Sequence, residues 1–259
     1  MILGFIGVGN IGKAIITGLC TCSTPPEKIV IYDVDEGKCT AIGKRFRQIE
    51  IAPDNQTLLD RAECVFVCVL PQIAPQVLLP LNFREDHVVV TVIAIRPISE
   101  ISEYVEPART VIRALPLPAI ADHVGPVIFY PHQDKIAQLF AGIGRDIPVS
   151  CENDLIVLSA ITGLIAPYYA LIAALSGWAA SAGVDPHIAR RYNLAMFDSL
   201  NYAAIEGGAE LDELASEAAT PGGLNHQALR ELEKQQAFDP FLDVLDVLLQ
   251  RLGLEAPSR

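Results

Sequence analysis

Three glycines, spaced Gly7-Val8-Gly9-Asn10-Ile11-Gly12, lie between an apolar run, ILGFI, and a helix-prone run, IGKAIITGL. A strand, a glycine turn and a helix in that order are what a phosphate-binding loop requires. Gly7 permits the tight turn, Gly9 lets backbone approach a pyrophosphate with no Cβ in the way, and Gly12 lets the helix pack close to the strand. Asn10 and Ile11 stand where the helix start offers unbonded N–H groups and the positive end of its dipole. Asp33 closes the next apolar run, KIVIYD, about twenty residues on, where a carboxylate can accept from the adenosine ribose hydroxyls of a dinucleotide. The same carboxylate would face a 2′-phosphate at close range, so it favours NADH over NADPH. Asp33 also suits a helix cap before VDEGK, and the two roles are compatible.

The first half of the chain alternates short apolar runs with helical stretches, the pattern of a parallel sheet covered on both faces. Strands are expected at 2–6, 28–32, 64–70, 88–93 and 110–112, with later ones at 124–130 and 147–150. Helices fall between them, at 11–19, 36–46, 56–61, 73–78 and 98–105, followed by 133–143. Right-handed crossovers make this a doubly wound Rossmann sheet. Beyond Asp154 only helices are expected: 155–182, 186–206, 210–217, 226–236 and 238–252, with Gly183, Gly207-Gly208 and Gly253 as stops. The fold class is therefore α/β, with a Rossmann domain over 1–152 and an all-α domain over 153–259.

Of the 259 residues, 51% are hydrophobic and 19% charged, the balance of a packed globular protein rather than a disordered one. A net charge of −12 opposes a nucleic-acid partner, whose phosphates are bound by Lys and Arg. The six cysteines sit mostly in apolar runs and no basic-then-apolar leader opens the chain, so reduced thiols in the cytoplasm are expected. Cys20-x-Cys22 lacks both zinc-pair spacing and a second pair, so no metal site is expected. The uncharged stretch from Leu155 to Val184 exceeds the roughly 20 residues that span a bilayer. It is rich in Ala, Ser, Gly and Thr and lacks flanking Lys or Arg, so a helix buried on all sides and shared with a second subunit is expected instead.

Read end to end, the chain resembles pyrroline-5-carboxylate reductase, which reduces a cyclic imine to proline. The likeness runs through GFIGVGNIGKAIITGL, VFVCVLPQIAPQVL, HVVVTVIAIRPISEIS and TVIRALPLPA. It resumes with SAITGLIAPYYALIAAL and ATPGGLNHQAL. The resemblance implies NAD(P)H in the first domain, hydride transfer to a C=N carbon of a small-molecule substrate, a place in proline biosynthesis, and a dimer of interlocked C-terminal helices. It implies further cofactor contacts at Leu70 and Pro71 after the fourth strand and at Ala94 after the fifth.

The substrate half departs from that family. Its Ser-Gly-Ser-Gly-Pro-Ala-Tyr loop is replaced by the shorter Ile165-Ala166-Pro167-Tyr168-Tyr169, and its Pro-Asn-Thr-Pro by Pro116-Leu117-Pro118. Arg96 stands where the family has a small residue, at the strand edge where such sheets bind ligands, and can pair with a substrate carboxylate or cofactor phosphates. The segments that match the substrate region place Thr162, Asn225 and His226 as catalytic candidates, with His226 as proton donor. Tyr168, Tyr169, Gly222 and Gly223 are substrate contacts. Two rivals remain: another Rossmann-plus-helical oxidoreductase, such as a deazaflavin-dependent NADP reductase, and a non-catalytic nucleotide sensor or scaffold.

Overall fold

Strands that are apolar at every position can be buried on both faces, and the two central strands are of this kind. In the computed structural model, which describes residues 1–93 and 96–258, β1 (Leu3–Ile6) and β4 (Cys64–Val67) are buried at every position. They are accompanied by β2 (Ile29–Tyr32), β3 (Ile49–Ile51), β5 (Val88–Thr91), β6 (Thr110–Pro116), β7 (Pro126–Tyr130) and β8 (Arg145–Pro148). Helices α1 (Asn10–Thr21), α2 (Glu36–Gly43), α3 (Asn55–Arg61), α4 (Ala74–Leu78), α5 (Ile98–Tyr104) and α6 (Asp134–Ala141) cover the sheet. The strand order is β3-β2-β1-β4-β5-β6-β7-β8, so the winding direction reverses beside β1. Ligands of open α/β sheets bind at such a switch point, outside the carboxyl ends of the strands.

Each face of the sheet has its own core. Phe5 stacks on Phe66 with centroids 4.6 Å apart, and Phe140 of α6 meets Phe66 edge-on. Ile6, Leu58, Val65 and Ile101 pack on the opposite face. A buried ion pair ties the far side together. Arg113 of β6, 3% exposed, donates to Glu152 at 3.2 Å, and the same carboxylate oxygen accepts the Ile98 N–H at the start of α5 at 2.8 Å.

The sheet is not parallel throughout: β7 runs antiparallel to β6. A parallel return needs a crossover of a dozen or more residues. Here the chain turns back through a single 3₁₀ turn, Pro118–Asp122, closed by His123 at φ 60° and Gly125 at φ 102°. Strand β3 was not anticipated, because three residues give too short an alternation to register. The last strand begins at Arg145 rather than Ile147.

The chain forms two compact units that meet between Ser159 and Ala160. That division lies inside α7 (Glu152–Thr162), later than the boundary expected near Glu152. The single long helix expected over 155–182 is two, α7 and α8 (Ile165–Ser181). Pro167 causes the break, since it has no N–H and its ring would strike the carbonyl of Gly163.

In the second unit, Gly183 at φ 96° turns the chain into α9 (Pro186–Gly207), which packs on α8. The Asp185 carboxylate caps α9 through the His187 and Ile188 N–H groups, and Asn193 bonds across to Ser176 at 3.0 Å. Helices α10 (Leu211–Ala218), α11 (Leu224–Lys234) and α12 (Asp239–Arg251) complete the unit. The segment Glu152–Ser181 is long and apolar enough to cross a membrane, yet only 17% of its apolar window is buried. Burial on all sides is therefore not achieved within one chain.

Candidate functional site

The loop after β1 has the form its glycines imply. Gly7 adopts φ 95°, and a Cβ there would lie 2.9 Å from the Cys68 carbonyl oxygen. A Cβ on Gly12 would lie 2.6 Å from the Gly7 carbonyl oxygen, so the helix can approach the turn only without a side chain. Around Gly9 a Cβ would meet nothing within 4 Å. That open position lets a ligand approach the backbone directly. Gly9 caps α1 with no side-chain hydrogen bond, leaving the first-turn N–H groups at Asn10, Ile11 and Gly12 to face an anion.

The loop opens into a cleft of about 480 Å³ bounded by Gly9, Asn10, Asp33, Lys38, Asn55 and Leu70. A second hollow of about 340 Å³ shares Tyr32 and Asp33 with it. Asn55 begins α3, and its Oδ1 is buried without a hydrogen-bond partner. A ligand hydroxyl or amine in the cleft would satisfy it. Together the bare Gly9, the unbonded helix start and the orphaned Asn55 oxygen fit a dinucleotide. Cys68 also borders the cleft, and burial pushes its thiol pKa up, away from the thiolate form.

Asp33 lies where the sequence places it, at the end of β2, but its carboxylate is already engaged. Oδ2 accepts the Val8 N–H at 2.7 Å, Oδ1 accepts the Asp35 N–H at 2.9 Å, and Lys38 Nζ lies 3.6 Å from Oδ1. The cap of α2 is Asp35, not Asp33. Pro71 and Leu70 follow β4, Leu70 being 67% exposed at the cleft rim. Ala94 lies outside the described residues.

Arg96, expected to meet a substrate carboxylate or cofactor phosphates, already has partners within the chain. Its guanidinium pairs with Glu100 one helical turn on and donates to the Pro71 carbonyl at 3.3 Å, while Tyr104 donates to the same carboxylate. That geometry ties the loop after β5 to the loop after β4.

The remaining candidates belong to the second unit. Thr162 ends α7. Tyr168 and Tyr169 lie side by side in the first turn of α8, ring centroids 5.5 Å apart, and Tyr168 meets Phe197 of α9 edge-on. Gly222 at φ 80° and Gly223 form the turn into α11. Asn225 is not the cap of that helix, which is Gly223. Its amide instead reaches back to the Ala218 carbonyl at 3.3 Å, while His226 Nδ1 accepts the Gly222 N–H at 3.5 Å.

Sequence reasoning missed Asn55 and Lys38 in the cleft and the Arg113–Glu152 pair. His123 joins α1 through Thr21 and the Gly18 carbonyl, and His132 pairs with Asp134. Among the described residues, no three or more His, Cys, Asp and Glu gather as a metal site would require.

Residues 2–95 match a family described as NADP oxidoreductase, coenzyme F420-dependent, and residues 152–251 match pyrroline-5-carboxylate reductase dimerisation. A pyrroline-5-carboxylate reductase of Corynebacterium melassecola is 25% identical over 245 residues, covering 90% of each chain. That of Escherichia coli strain K12 is 27% identical over the same length and coverage. A solved pyrroline-5-carboxylate reductase from Coxiella burnetii superposes with a TM-score of 0.86 at 20% identity, covering 99% of this chain and 98% of that one.

Proposed function

Because the chain belongs to the pyrroline-5-carboxylate reductase family, we propose that it reduces a cyclic imine carboxylate, pyrroline-5-carboxylate or a near relative, with NAD(P)H. The observation that carries this is the bare Gly9 position over the uncapped start of α1. The first-turn N–H groups of α1 hold the pyrophosphate and Asn55 Oδ1 accepts from the adenosine half. The nicotinamide supplies hydride to the C=N carbon. Orientation carries much of the rate, since the imine carbon must lie about 3 to 3.5 Å from the donor. Within the helical unit, His226 as imidazolium would be the proton source for the ring nitrogen, and Thr162 and Asn225 would orient the imine. Tyr168, Tyr169, Gly222 and Gly223 line the substrate.

NADH is favoured over NADPH. The Asp33 carboxylate borders the cleft, and Lys38, which borders it too, is already paired with Asp33 and Asp35, 3.6 and 3.8 Å away. A 2′-phosphate there meets net negative charge.

The protein acts in the cytoplasm as a homodimer. Trp178, Tyr192, Tyr202 and Ile188 are each more than 60% exposed in one chain, and a second copy of the helical unit, not lipid, covers them.

The test is oxidation of NADH and of NADPH by the full chain with pyrroline-5-carboxylate and a panel of other cyclic imines. Turnover with NADH at higher kcat/KM supports the reading, and Asp33→Ser should shift the cofactor ratio toward NADPH. Cofactor binding with turnover of no imine would refute it. The apolar Ile165-Ala166-Pro167 in place of a serine loop favours turnover of an imine other than pyrroline-5-carboxylate.

A further inference from the structure

The engagement of both Asp33 oxygens points to a role distinct from choosing between cofactors. We propose that Asp33 is a positioning residue for the glycine loop, holding it in its phosphate-binding form through the Val8 N–H. This rests on the reading that the cleft takes a dinucleotide.

The two N–H groups that precede Gly9 are both committed to the end of β2. Gly7 N–H goes to the Tyr32 carbonyl at 2.8 Å, and Val8 N–H goes to Asp33 Oδ2 at 2.7 Å. Val8 is 2% exposed and the Asp33 side chain 10%, so no water can readily replace that acceptor. A buried N–H without a partner is costly, and the loop would relieve the cost by turning Val8 toward solvent. The groups that follow, at the start of α1, would then lose their common direction. Asp33 in turn is held from its other side by the Asp35 N–H and Lys38. The carboxylate is thus a strut between α2 and the loop, and it acts on the pyrophosphate through backbone it orients.

A carboxylate that only bonds the ribose matters in proportion to the ribose hydroxyls. A strut matters equally without them. Binding of NADH, NADPH and an NADH analogue dideoxy at the adenosine 2′ and 3′ positions should be titrated with wild type, Asp33→Ser and Asp33→Asn. The proposal expects Asp33→Ser to weaken NADH and the analogue by the same factor, about ten-fold, the loss of one bond to a charged acceptor. Asp33→Asn keeps a carbonyl acceptor for Val8 and should recover most of the analogue's affinity. Loss of NADH binding by Asp33→Ser with the analogue unchanged would overturn the proposal. So would an Asn variant no better than Ser on the analogue, a comparison that holds even if Ser impairs folding. Failure of wild type to bind either natural cofactor would refute the dinucleotide reading and the strut with it.

Discussion

Removing the carboxylate of Glu152 should cost far more than removing its partner, although the two form one ion pair. Arg113 is 3% exposed and its Nε has no hydrogen-bond partner, so Glu152 at 3.2 Å is what compensates its buried charge. Burial pulls the arginine pKa down, and the carboxylate beside it works in the opposite direction. At an effective dielectric near 20, the attraction across 3.2 Å is about 5 kcal/mol. Glu152 is itself 26% exposed, which screens part of this. Glu152→Ala leaves a buried guanidinium unpaired and the Ile98 N–H without its acceptor. The expected cost is about 3 kcal/mol, at the lower end for a broken buried pair. In a unit of this size that is a fall of about 6 to 12 °C in Tm.

Arg113→Met removes the buried charge and strands nothing, because Glu152 keeps solvent and the Ile98 N–H. Its cost should be about 1 kcal/mol or less. Urea and thermal unfolding of both variants, at about 0.1 and about 1 M salt, measure the asymmetry, and a pair this buried should respond little to salt. Equal losses from the two substitutions, or a loss below about 1 kcal/mol for Glu152→Ala, would refute the reasoning.

Gly9→Ala should fold with wild-type stability yet lose cofactor affinity at least ten-fold, whereas Gly12→Ala, whose Cβ would lie 2.6 Å from a carbonyl oxygen, should lose stability as well; calorimetric titration and melting curves separate them. His87 is 1% exposed, and burial, then the Arg84 guanidinium, holds its pKa below the ordinary value. Its neutral form is the one the fold accepts, so its contribution is complete above about pH 6.5 and is lost as pH falls through that value toward the depressed one. Urea midpoints between about pH 7 and about pH 5 should fall less steeply in His87→Asn, which keeps an acceptor for the Arg84 N–H. Trp178→Glu, on a side chain 72% exposed in one chain, should shift the protein toward monomer by sedimentation without changing helix content.

The phosphate cradle was legible because its requirements are local. Strand, turn and helix are contiguous, and the spacing of the three glycines shows in the sequence even though the Cys68 backbone that Gly7 must clear comes from a distant strand. Asp33 was legible in position but not in employment, since the bond that engages it joins residues 25 apart in sequence and exists only once β1 and β2 are paired. Asn55 carried no signal at all. An asparagine beginning a short helix looks like any other, and its orphaned oxygen matters only because α3 starts against the cleft. Arg113 was passed over inside an apolar run, where a charge reads as an interruption rather than half of a buried pair. The helix break at Gly163 escaped notice because composition is uniform across it, and the signal was the spacing of Pro167 alone. In the helical unit, only family likeness proposes Thr162, Asn225 and His226, because polar residues on exposed helices have no local signature of a pocket.

The two ends of the sheet decide how copies of this chain can meet. A strand with unpaired backbone groups invites another strand, and β3 and β8 are the places where that would happen. β3 is three residues long with Glu50 at its centre, held by Arg61 and Lys28. β8 reads Arg145-Asp146-Ile147-Pro148, and its proline has no N–H to give. Both margins are therefore poor templates for a strand from another molecule.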